Sequence, residues 1–243
     1  MNRMPHEHQT TIDYWSLAGT THGRLLLTLR RAIKCHAWRA VVLGSLGLKR
    51  LVDIVVALVT LIVWSPLLLL VIACIKLEDG GPIFFQQKRV GYRGRLFGMW
   101  KFRSMVLNAD KLKDQLLGQN EMKNGVTFKM KNDPRVTRIG KWIRKFSIDE
   151  VPQLWNVLVG EMSVVGPRPP VPREVAQYTP EDRQRLLAKP GLTCTWQVSG
   201  RSNIDFDGQV RLDLQYIRSQ SFWGDLRLLL KTIPAVLFGE GAF

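Results

Sequence analysis

The chain has 243 residues, of which 46% are hydrophobic and 23% charged, which excludes a disordered protein and allows one good-sized domain with attachments. Lysine and arginine outnumber aspartate and glutamate by 35 to 20, so the natural partners are polyanions: nucleic acid, anionic lipid headgroups or phosphorylated small molecules. Cys35, Cys74 and Cys194 form no C-x-x-C pair and no even set, which indicates a reducing compartment.

The histidines restrict the chemistry that the chain can perform. All four, His6, His8, His22 and His36, lie before any segment that resembles a folded core. A serine or cysteine nucleophile would have to borrow its histidine base from that region, so acid, base and nucleophile roles fall to carboxylates. We interpret His6 and His8 as solvated, because no cysteine or second histidine pair completes a metal site.

The first predicted element, residues 24–49, mixes leucines with cations such as Arg30, Arg31, Lys34 and Arg39. This composition predicts a basic amphipathic helix at a lipid surface, with a small docking helix as the alternative. The first twenty residues lack a basic stretch that leads into an apolar one, so no cleavable signal peptide is expected. We take residues 1–48 as a basic amphipathic extension.

Residues 54–75 are almost continuously apolar and predict a membrane segment, interrupted only by Thr60, Ser65 and Pro66. A helix of this length rises about 1.5 Å per residue and could cross a hydrocarbon core of roughly 30 Å. Proline removes a backbone hydrogen bond, so Pro66 is expected to kink or break the helix near its middle.

The charges that flank this segment complicate a plain crossing. Lys49 and Arg50 precede the segment, and a second group of cations follows it. The positive-inside rule favours a cytoplasmic position for both flanks. A re-entrant helix over 49–76 that breaks at Ser65 and Pro66 satisfies both, with the serine hydroxyl meeting part of the freed backbone. The residues alone leave re-entry and spanning equally open. The second group consists of Lys76, Lys88, Arg89, Arg93 and Arg95.

A small β-hairpin is predicted next, after the glycines and proline at 80–82. Residues 83–87 and 96–102 have the composition of strands, and the glycines at 91–94 mark the turn between them. We expect the cations of the hairpin to face lipid phosphates or a substrate diphosphate, with a solvated basic face as the alternative. These cations are Lys88, Arg89, Arg95, Lys101 and Arg103.

Further helices are expected over residues 109–119, 139–146 and 180–188, after Asp149, and from Phe222 to Pro234 or Gly239. The combination of Trp142, Ile143 and Phe146 with neighbouring cations is typical of an interfacial helix, although core packing explains the apolar residues nearly as well. The final helix is also a candidate for the membrane surface.

Two adjacent carboxylates, Asp149 and Glu150, stand at a predicted helix start in this basic chain. Ser147 matches a capping box with Glu150, while Pro152 fits the first turn better if Asp149 caps, so both assignments stay open. At a helix N-terminus both carboxylates are expected to remain ionised. Helix capping alone would explain an isolated pair of carboxylates. Because an arginine between two prolines follows at 167–169, a role of the pair in phosphate chemistry is the alternative.

An ordered series of motifs gives the chain a specific resemblance. From about residue 46 to the C-terminus it resembles the bacterial sugar transferase family, the monotopic phosphoglycosyl transferases. The segments that carry the resemblance are Lys49-Arg50 before Ser65-Pro66, GPIFF at 81–85, KFRSM at 101–105, SIDEVPQL at 147–154, VGPRP at 165–169, KPGLT at 189–193 and WQVSGR at 196–201.

The resemblance implies an α+β, mainly helical monotopic membrane protein with a re-entrant membrane helix, a small β-hairpin and interfacial amphipathic helices. The catalytic domain, residues 77–243, would face the cytoplasm at the bacterial inner membrane. Longer members carry several spanning helices and a further domain ahead of this region, so the chain is expected to be a compact member. Membrane lipids, downstream glycosyltransferases and a second copy of the chain are compatible partners, and nucleic acid is not expected.

The resemblance also implies a reaction: a sugar 1-phosphate, with glucose or galactose as the leading candidates, passes from a UDP-sugar to undecaprenyl phosphate and UMP is released. This would be the first membrane step of exopolysaccharide, capsule or O-antigen synthesis. Asp149 would be the nucleophile, and Asp149 and Glu150 would hold Mg²⁺. Donor contacts would come from Arg168, Arg144, Lys101 and Arg103, with Pro167 and Pro169 stiffening the first. A membrane-tethered basic binding or scaffold protein without catalysis is the alternative.

Overall fold

A computed structural model describes residues 20–109, 111–112, 130, 133–200 and 204–238, the last four by their backbone alone. The expectations for His6 and His8, and most of the helix predicted at 109–119, lie outside these residues. The chain divides into two compact units, Met1–Lys49 and Arg50–Phe243.

The longest element is the helix α1 (Thr21–Asp79), which confirms the helical prediction for residues 24–49 and 54–75. By length and composition it could cross a membrane. The predicted break is wrong, because the helix continues through Ser65 and Pro66. Proline leaves the carbonyl of Ile62 without its usual donor, and the Ser65 hydroxyl donates to that carbonyl over 2.7 Å. Re-entry itself stays a prediction.

Within the second unit, α1 packs one face against the body and exposes the other. Ala57 is buried in a cluster with Leu154 and Val157, and Val71 and Ile75 are buried in another with Phe102, Ile143 and Ile148. Both ends of the apolar segment therefore contact the same body. The opposite face exposes a continuous apolar surface, which is typical of contact with lipid or a partner. Its exposed side chains include Leu51, Val55, Leu58, Val59, Ile62, Val63, Leu69 and Leu70.

The predicted β-hairpin is confirmed. Strands β1 (Phe84–Val90) and β2 (Leu96–Phe102) are antiparallel, with Phe84 opposite Phe102 and Val90 opposite Leu96. The second strand has its predicted bounds, and the first continues three residues further, up to the turn. That turn is a short 3-10 helix, Tyr92–Gly94, in which Arg93 adopts a left-handed conformation with φ of 55°.

The remaining elements pack around the hairpin and α1. They are the helices α2 (Arg138–Lys145), α3 (Gln153–Val159), α4 (Pro172–Val175), α5 (Phe206–Arg218) and α6 (Phe222–Phe238), the strands β3 (Ser163–Val165) and β4 (Gly191–Thr193), and 3-10 turns at Ile148–Glu150, Asp182–Leu187 and Trp196–Val198. The helix predicted at 139–146 is confirmed as α2. The helix predicted at 180–188 is a 3-10 turn, and Pro234 lies inside α6 rather than at its end.

A second, parallel pair of strands was not predicted. In this pair β3 lies beside β4, with Ser163 opposite Gly191 and Val165 opposite Thr193. Each strand has only three residues, too few for a periodic pattern. A Cβ atom on Gly191 would come within 2.1 Å of the Gly166 nitrogen, so the approach of the two chain segments requires glycine. The architecture as a whole is mainly helical with small sheets, as expected.

Candidate active site

The acidic pair lies on the 3-10 turn Ile148–Glu150, between α2 and α3. Both predicted caps are wrong. Ser147 is left-handed, with φ of 54°, and its side chain makes no capping bond, while α3 begins only at Gln153, after Pro152. Ile148 is 3% exposed and packs into the core, and this packing anchors the tight turn. The turn, rather than a helix N-terminus, therefore positions the two carboxylates.

Glu150 is held by two cations. Its Oε1 lies 2.8 Å from Lys101 Nζ and 3.5 Å from Arg168 Nη1. Burial by itself would raise the pKa of Glu150, but the charges of Lys101 and Arg168 outweigh it and lower the pKa to about 2. The prediction of an ionised carboxylate is confirmed for Glu150.

Asp149 behaves differently from its neighbour. It is 7% exposed, and burial raises its pKa to about 6, against the opposing charges of Lys101, Arg144 and Arg168 and with a further increase from Glu150. Its expected stabilisation by a helix N-terminus is therefore not found. Within the described part of the chain, no group donates a hydrogen bond to the Asp149 carboxylate. The carboxylate ionises near neutral pH, and no donor from the described residues competes for its lone pairs.

Arg168 is positioned by the hairpin. Arg89 Nη1 donates to the Pro169 carbonyl over 2.8 Å, and the Val90 amide donates to the Pro170 carbonyl over 2.9 Å. Gln87 Oε1 holds the other side of the Arg89 guanidinium at 2.6 and 3.1 Å. Arg89 is buried and supports the loop that carries Arg168; since it also lines the cavity, its expected contact with a phosphate stays a prediction.

Arg103 and Arg144 occupy different surroundings. The Arg103 guanidinium forms a two-pronged ion pair with Asp79 and its Nε donates to the Pro82 carbonyl over 2.6 Å. Hydrogen bonding to Arg103 lowers the pKa of Asp79 to about 2. Arg144, on α2, is half-buried, and its charge lowers the pKa of Asp149. Substrate contacts by either residue stay predictions, and the Asp79 pairing leaves Arg103 the weaker candidate.

These groups share one cavity of about 1020 Å³, large enough for a nucleotide sugar. Asp149 and Glu150 line it, together with seven cations: Arg89, Lys101, Arg103, Arg135, Arg144, Arg168 and Arg185. Farther along, the lining includes Tyr178, Phe206 and Trp196. Such a cavity can bind a phosphorylated ligand, and the Asp149 carboxylate is free to attack it once cations screen the repulsion between anions.

The acidic pair also fits a magnesium ion. Among the described residues there is no group of three or more His, Cys, Asp or Glu side chains that could hold a metal. Mg²⁺ commonly binds through one or two carboxylates together with substrate phosphates and water. Asp149 and Glu150 can supply that number of hard oxygen ligands beside a cavity suited to a diphosphate.

The sequence profile described as bacterial sugar transferase matches residues 44–239. The chain belongs to the bacterial sugar transferase family. This bacterial sugar transferase is 48% identical over 195 residues to the galactosyl transferase CpsE of Streptococcus agalactiae. It is 44% identical over 203 residues to the undecaprenyl-phosphate galactose phosphotransferase of Salmonella typhimurium, and 41% identical over 198 residues to the exopolysaccharide production protein ExoY of Rhizobium meliloti.

The matches cover 80%, 82% and 80% of this sugar transferase, respectively. They cover 43% of CpsE, 42% of the Salmonella protein and 88% of ExoY. The chain thus spans less than half the length of the first two relatives and most of the length of the third. All of the predicted site residues fall within the region matched to the family.

Proposed function

We propose that the chain is a phosphoglycosyl transferase, which transfers a hexose 1-phosphate from a UDP-sugar to undecaprenyl phosphate. One observation carries the proposal: Asp149 is a buried carboxylate without a hydrogen-bond donor among the described residues, beside a glutamate that Lys101 and Arg168 hold. A capping or scaffolding role gives no reason to keep a carboxylate buried and unbonded, whereas nucleophilic attack requires its lone pairs. The names of the relatives support the same class of reaction.

The reaction takes place in two displacements at one phosphorus. A carboxylate oxygen of Asp149 attacks the phosphorus that carries the sugar, and the bond from that phosphorus to the UMP oxygen breaks. UMP leaves with the bonding electron pair, and an aspartyl phosphosugar remains. An oxygen of undecaprenyl phosphate then attacks the same phosphorus and displaces the Asp149 carboxylate, which is thereby regenerated.

The surrounding cations make the first attack feasible. Lys101 and Arg168 reduce the repulsion between the carboxylate and the diphosphate, and the planar Arg168 guanidinium suits a phosphate contact. Glu150, with Asp149, would hold Mg²⁺. When bound, the ion neutralises the diphosphate and the leaving group. Two relatives are named for galactose, so UDP-galactose is the first donor to test and UDP-glucose the second.

The packing of α1 supports a monotopic arrangement on the cytoplasmic face of the inner membrane. Ala57 and Ile75 both contact the body of the second unit, whereas a helix that crossed the membrane between them would separate its ends by the bilayer. The exposed apolar face of the same segment would contact lipid, and the lipid acceptor would approach from there. Exopolysaccharide, capsule or O-antigen synthesis would use the product.

The decisive experiment measures UMP release by the purified protein from UDP-galactose or UDP-glucose, with undecaprenyl phosphate and Mg²⁺. Release of more than one UMP per enzyme molecule that depends on both the lipid and Asp149 supports the proposal. The covalent intermediate predicts parallel initial-rate lines against the two substrates, because UMP leaves before the acceptor reacts. Intersecting lines would favour direct attack by the lipid phosphate, and a scaffold or nucleic-acid binder would release no UMP.

Membrane topology is tested with proteins that each keep a single cysteine, whose labelling shows on which side of the membrane it lies. Cys35 serves for the extension, and since Cys194 is buried, Gln184→Cys serves for the catalytic domain. The other cysteines are replaced by serine. An impermeant maleimide added to intact spheroplasts should label neither protein, and both after the membrane is opened. Labelling of Cys35 alone from outside would show a crossing and refute re-entry.

A further inference from the structure

Four charged residues lie at the two ends of the apolar segment of α1: Arg50 and Asp53 at its start, and Glu78 and Asp79 at its end. The sequence suggests a simple role for such residues, as charged flanks that limit how far a helix enters a membrane. In the folded protein each of them bonds to the body of the second unit instead. The partners are specific backbone groups, the Ser163 hydroxyl and one arginine, all in chain segments that lead to the candidate site.

At the start of the segment, Arg50 bonds the helix that follows the acidic pair. Arg50 donates from Nη1 to the Val157 carbonyl at 2.5 Å and from Nη2 to the Leu158 carbonyl at 2.7 Å. These carbonyls belong to the last turn of α3, which begins three residues after Glu150. The bonds therefore fix the helix on which the acidic turn rests.

Asp53 holds the strand that leads to Arg168. It is 4% exposed, and its Oδ1 accepts hydrogen bonds from the Ser163 hydroxyl and the Val164 amide, both at 3.0 Å. Both donors belong to β3, which ends three residues before Arg168. Arg50 and Asp53 are one helical turn apart, so a single turn of α1 joins the two segments that meet in the Glu150–Arg168 contact.

The end of the segment holds the elements that carry the other two cations. Glu78 Oε1 accepts from the Arg138 amide at 2.8 Å and the Ile139 amide at 3.4 Å, in the first turn of α2, which carries Arg144. Asp79 pairs with Arg103, which directly follows β2, the strand of Lys101.

We propose that Arg50, Asp53, Glu78 and Asp79 are positioning residues, through which the apolar segment of α1 sets the relative positions of Glu150, Arg168, Lys101 and Arg144. The inference rests on the proposed function for what those four groups do. Charge-assisted hydrogen bonds are short and directional, so their loss shifts the attached segments without touching the reacting atoms. The segment is then a structural part of the active site as well as a membrane anchor.

The test removes each bond at the start of the segment and restores part of it with a conservative variant. Asp53→Ala deletes the acceptor and Arg50→Met the donors, while Asp53→Asn keeps an oxygen acceptor and Arg50→Lys keeps a cation. Arg39→Met is the matched control, because Arg39 is an exposed cation of α1 in the first unit. The kcat and KM for the UDP-sugar are measured per membrane-inserted molecule, with protein in nanodiscs of anionic phospholipid.

We expect Asp53→Ala and Arg50→Met to lower kcat at least tenfold and to change KM less than kcat. Asp53→Asn and Arg50→Lys keep only part of each contact and should recover a third to two thirds of the wild-type kcat. A segment that only anchors the protein would change the inserted amount and leave kcat per molecule unaltered, as Arg39→Met should. Wild-type kcat in Asp53→Ala and Arg50→Met, or an equal loss in Arg39→Met, would overturn the proposal.

Two outcomes need separate treatment. If Asp53→Ala and Arg50→Met do not insert, the conservative variants decide, since wild-type kcat in both would refute positioning. If the wild-type protein releases no UMP from any UDP-hexose, the proposed function fails, and positioning is tested by hydrogen exchange. The amides of residues 160–168 should then exchange at least tenfold faster in Asp53→Ala than in wild type and Arg39→Met, and unchanged exchange would refute the inference.

Discussion

Asp149 in the candidate site and Asp213 on α5 are both buried aspartates, and burial raises the pKa of each to about 6. Their surroundings differ in one respect. Asp213 Oδ2 accepts from Arg185 Nε at 2.8 Å and from Nη2 at 2.5 Å, whereas Asp149 accepts no hydrogen bond from a described residue.

The comparison shows that a shifted pKa does not by itself identify a reactive carboxylate. Both groups pay the same kind of desolvation cost, but Asp213 uses its charge to neutralise a buried arginine, which also bonds the Tyr178 hydroxyl over 3.2 Å. That arrangement is structural: both bonds from Arg185 reach Oδ2, and Oδ1 is buried without a hydrogen-bond partner among the described residues. Asp149 has opposing charges near it, and no described residue donates a bond to its oxygens, which is the condition for chemistry at the carboxylate.

The strongest test of the difference is Asp149→Asn, which should lower turnover by at least about a thousandfold, as loss of a covalent nucleophile does. Thermal unfolding in detergent should show an unchanged or slightly higher midpoint. The raised pKa means that ionised Asp149 destabilises the folded state above pH 6, and asparagine removes that charge. A variant that kept a substantial share of wild-type turnover would exclude the covalent role.

The counterpart substitution is Asp213→Asn, and it should affect stability rather than chemistry. Arg185 is 5% exposed, so without its partner it becomes an uncompensated buried charge, at a cost of about 3–5 kcal/mol. Chemical denaturation should report this loss, while turnover per folded molecule stays near wild type. If Asp213→Asn were as stable as wild type but inactive, the distinction between the two aspartates would be wrong.

Glu150→Gln tests the division of labour within the acidic pair. We expect a fall in turnover of about ten- to hundredfold, in the range reported for weakened metal sites. If metal binding is the main task of Glu150, added Mg²⁺ should restore part of the rate, which a Mg²⁺ titration of both proteins would measure. Asp149→Asn should show no such recovery, and equal recovery in both variants would contradict separate roles.

The smallest expected effect is in the pH profile. The nucleophile must be ionised, so kcat/KM should rise with pH through about 6 and level off above it, while Glu150, with a pKa of about 2, stays charged throughout. Lys101→Met removes a charge that lowers the pKa of Asp149, and should therefore move the midpoint upward. A midpoint that did not move would mean that a group other than Asp149 limits the rate.

Much of the fold could be predicted because its signals are local. The strand-like composition and the glycine turn of the hairpin predicted the bounds of β2, and the composition of residues 139–146 predicted α2. The 3-10 turn at Ile148–Glu150 could not be predicted, because burial of Ile148 and the position of Pro152 decide it together. The β3–β4 pair depends on the contact between Gly166 and Gly191, which are far apart in the sequence.

In the candidate site, too, residues in local motifs were predicted and long-range contacts were not. Asp149, Glu150, Lys101 and Arg168 were predicted and the structure brings them together. The roles of residues that support the site were not predicted. Arg50 was interpreted only as a charge that flanks the apolar segment, and Arg89 only as a surface cation. Each of these side chains bonds a backbone carbonyl or amide remote in the chain, and a residue type carries no information about such a partner.

The Ser65 hydroxyl donates a hydrogen bond to the Ile62 carbonyl, the backbone group of α1 that Pro66 leaves without a donor. In hydrocarbon a carbonyl without a donor is costly, and that cost normally forbids a helix from changing direction at depth. Here the donor, the Ser65 hydroxyl, and the acceptor, the Ile62 carbonyl, both lie in the turn before the proline and move together. In a bilayer, the residues after Pro66 would therefore be able to tilt relative to those before it without exposing a polar backbone group to lipid.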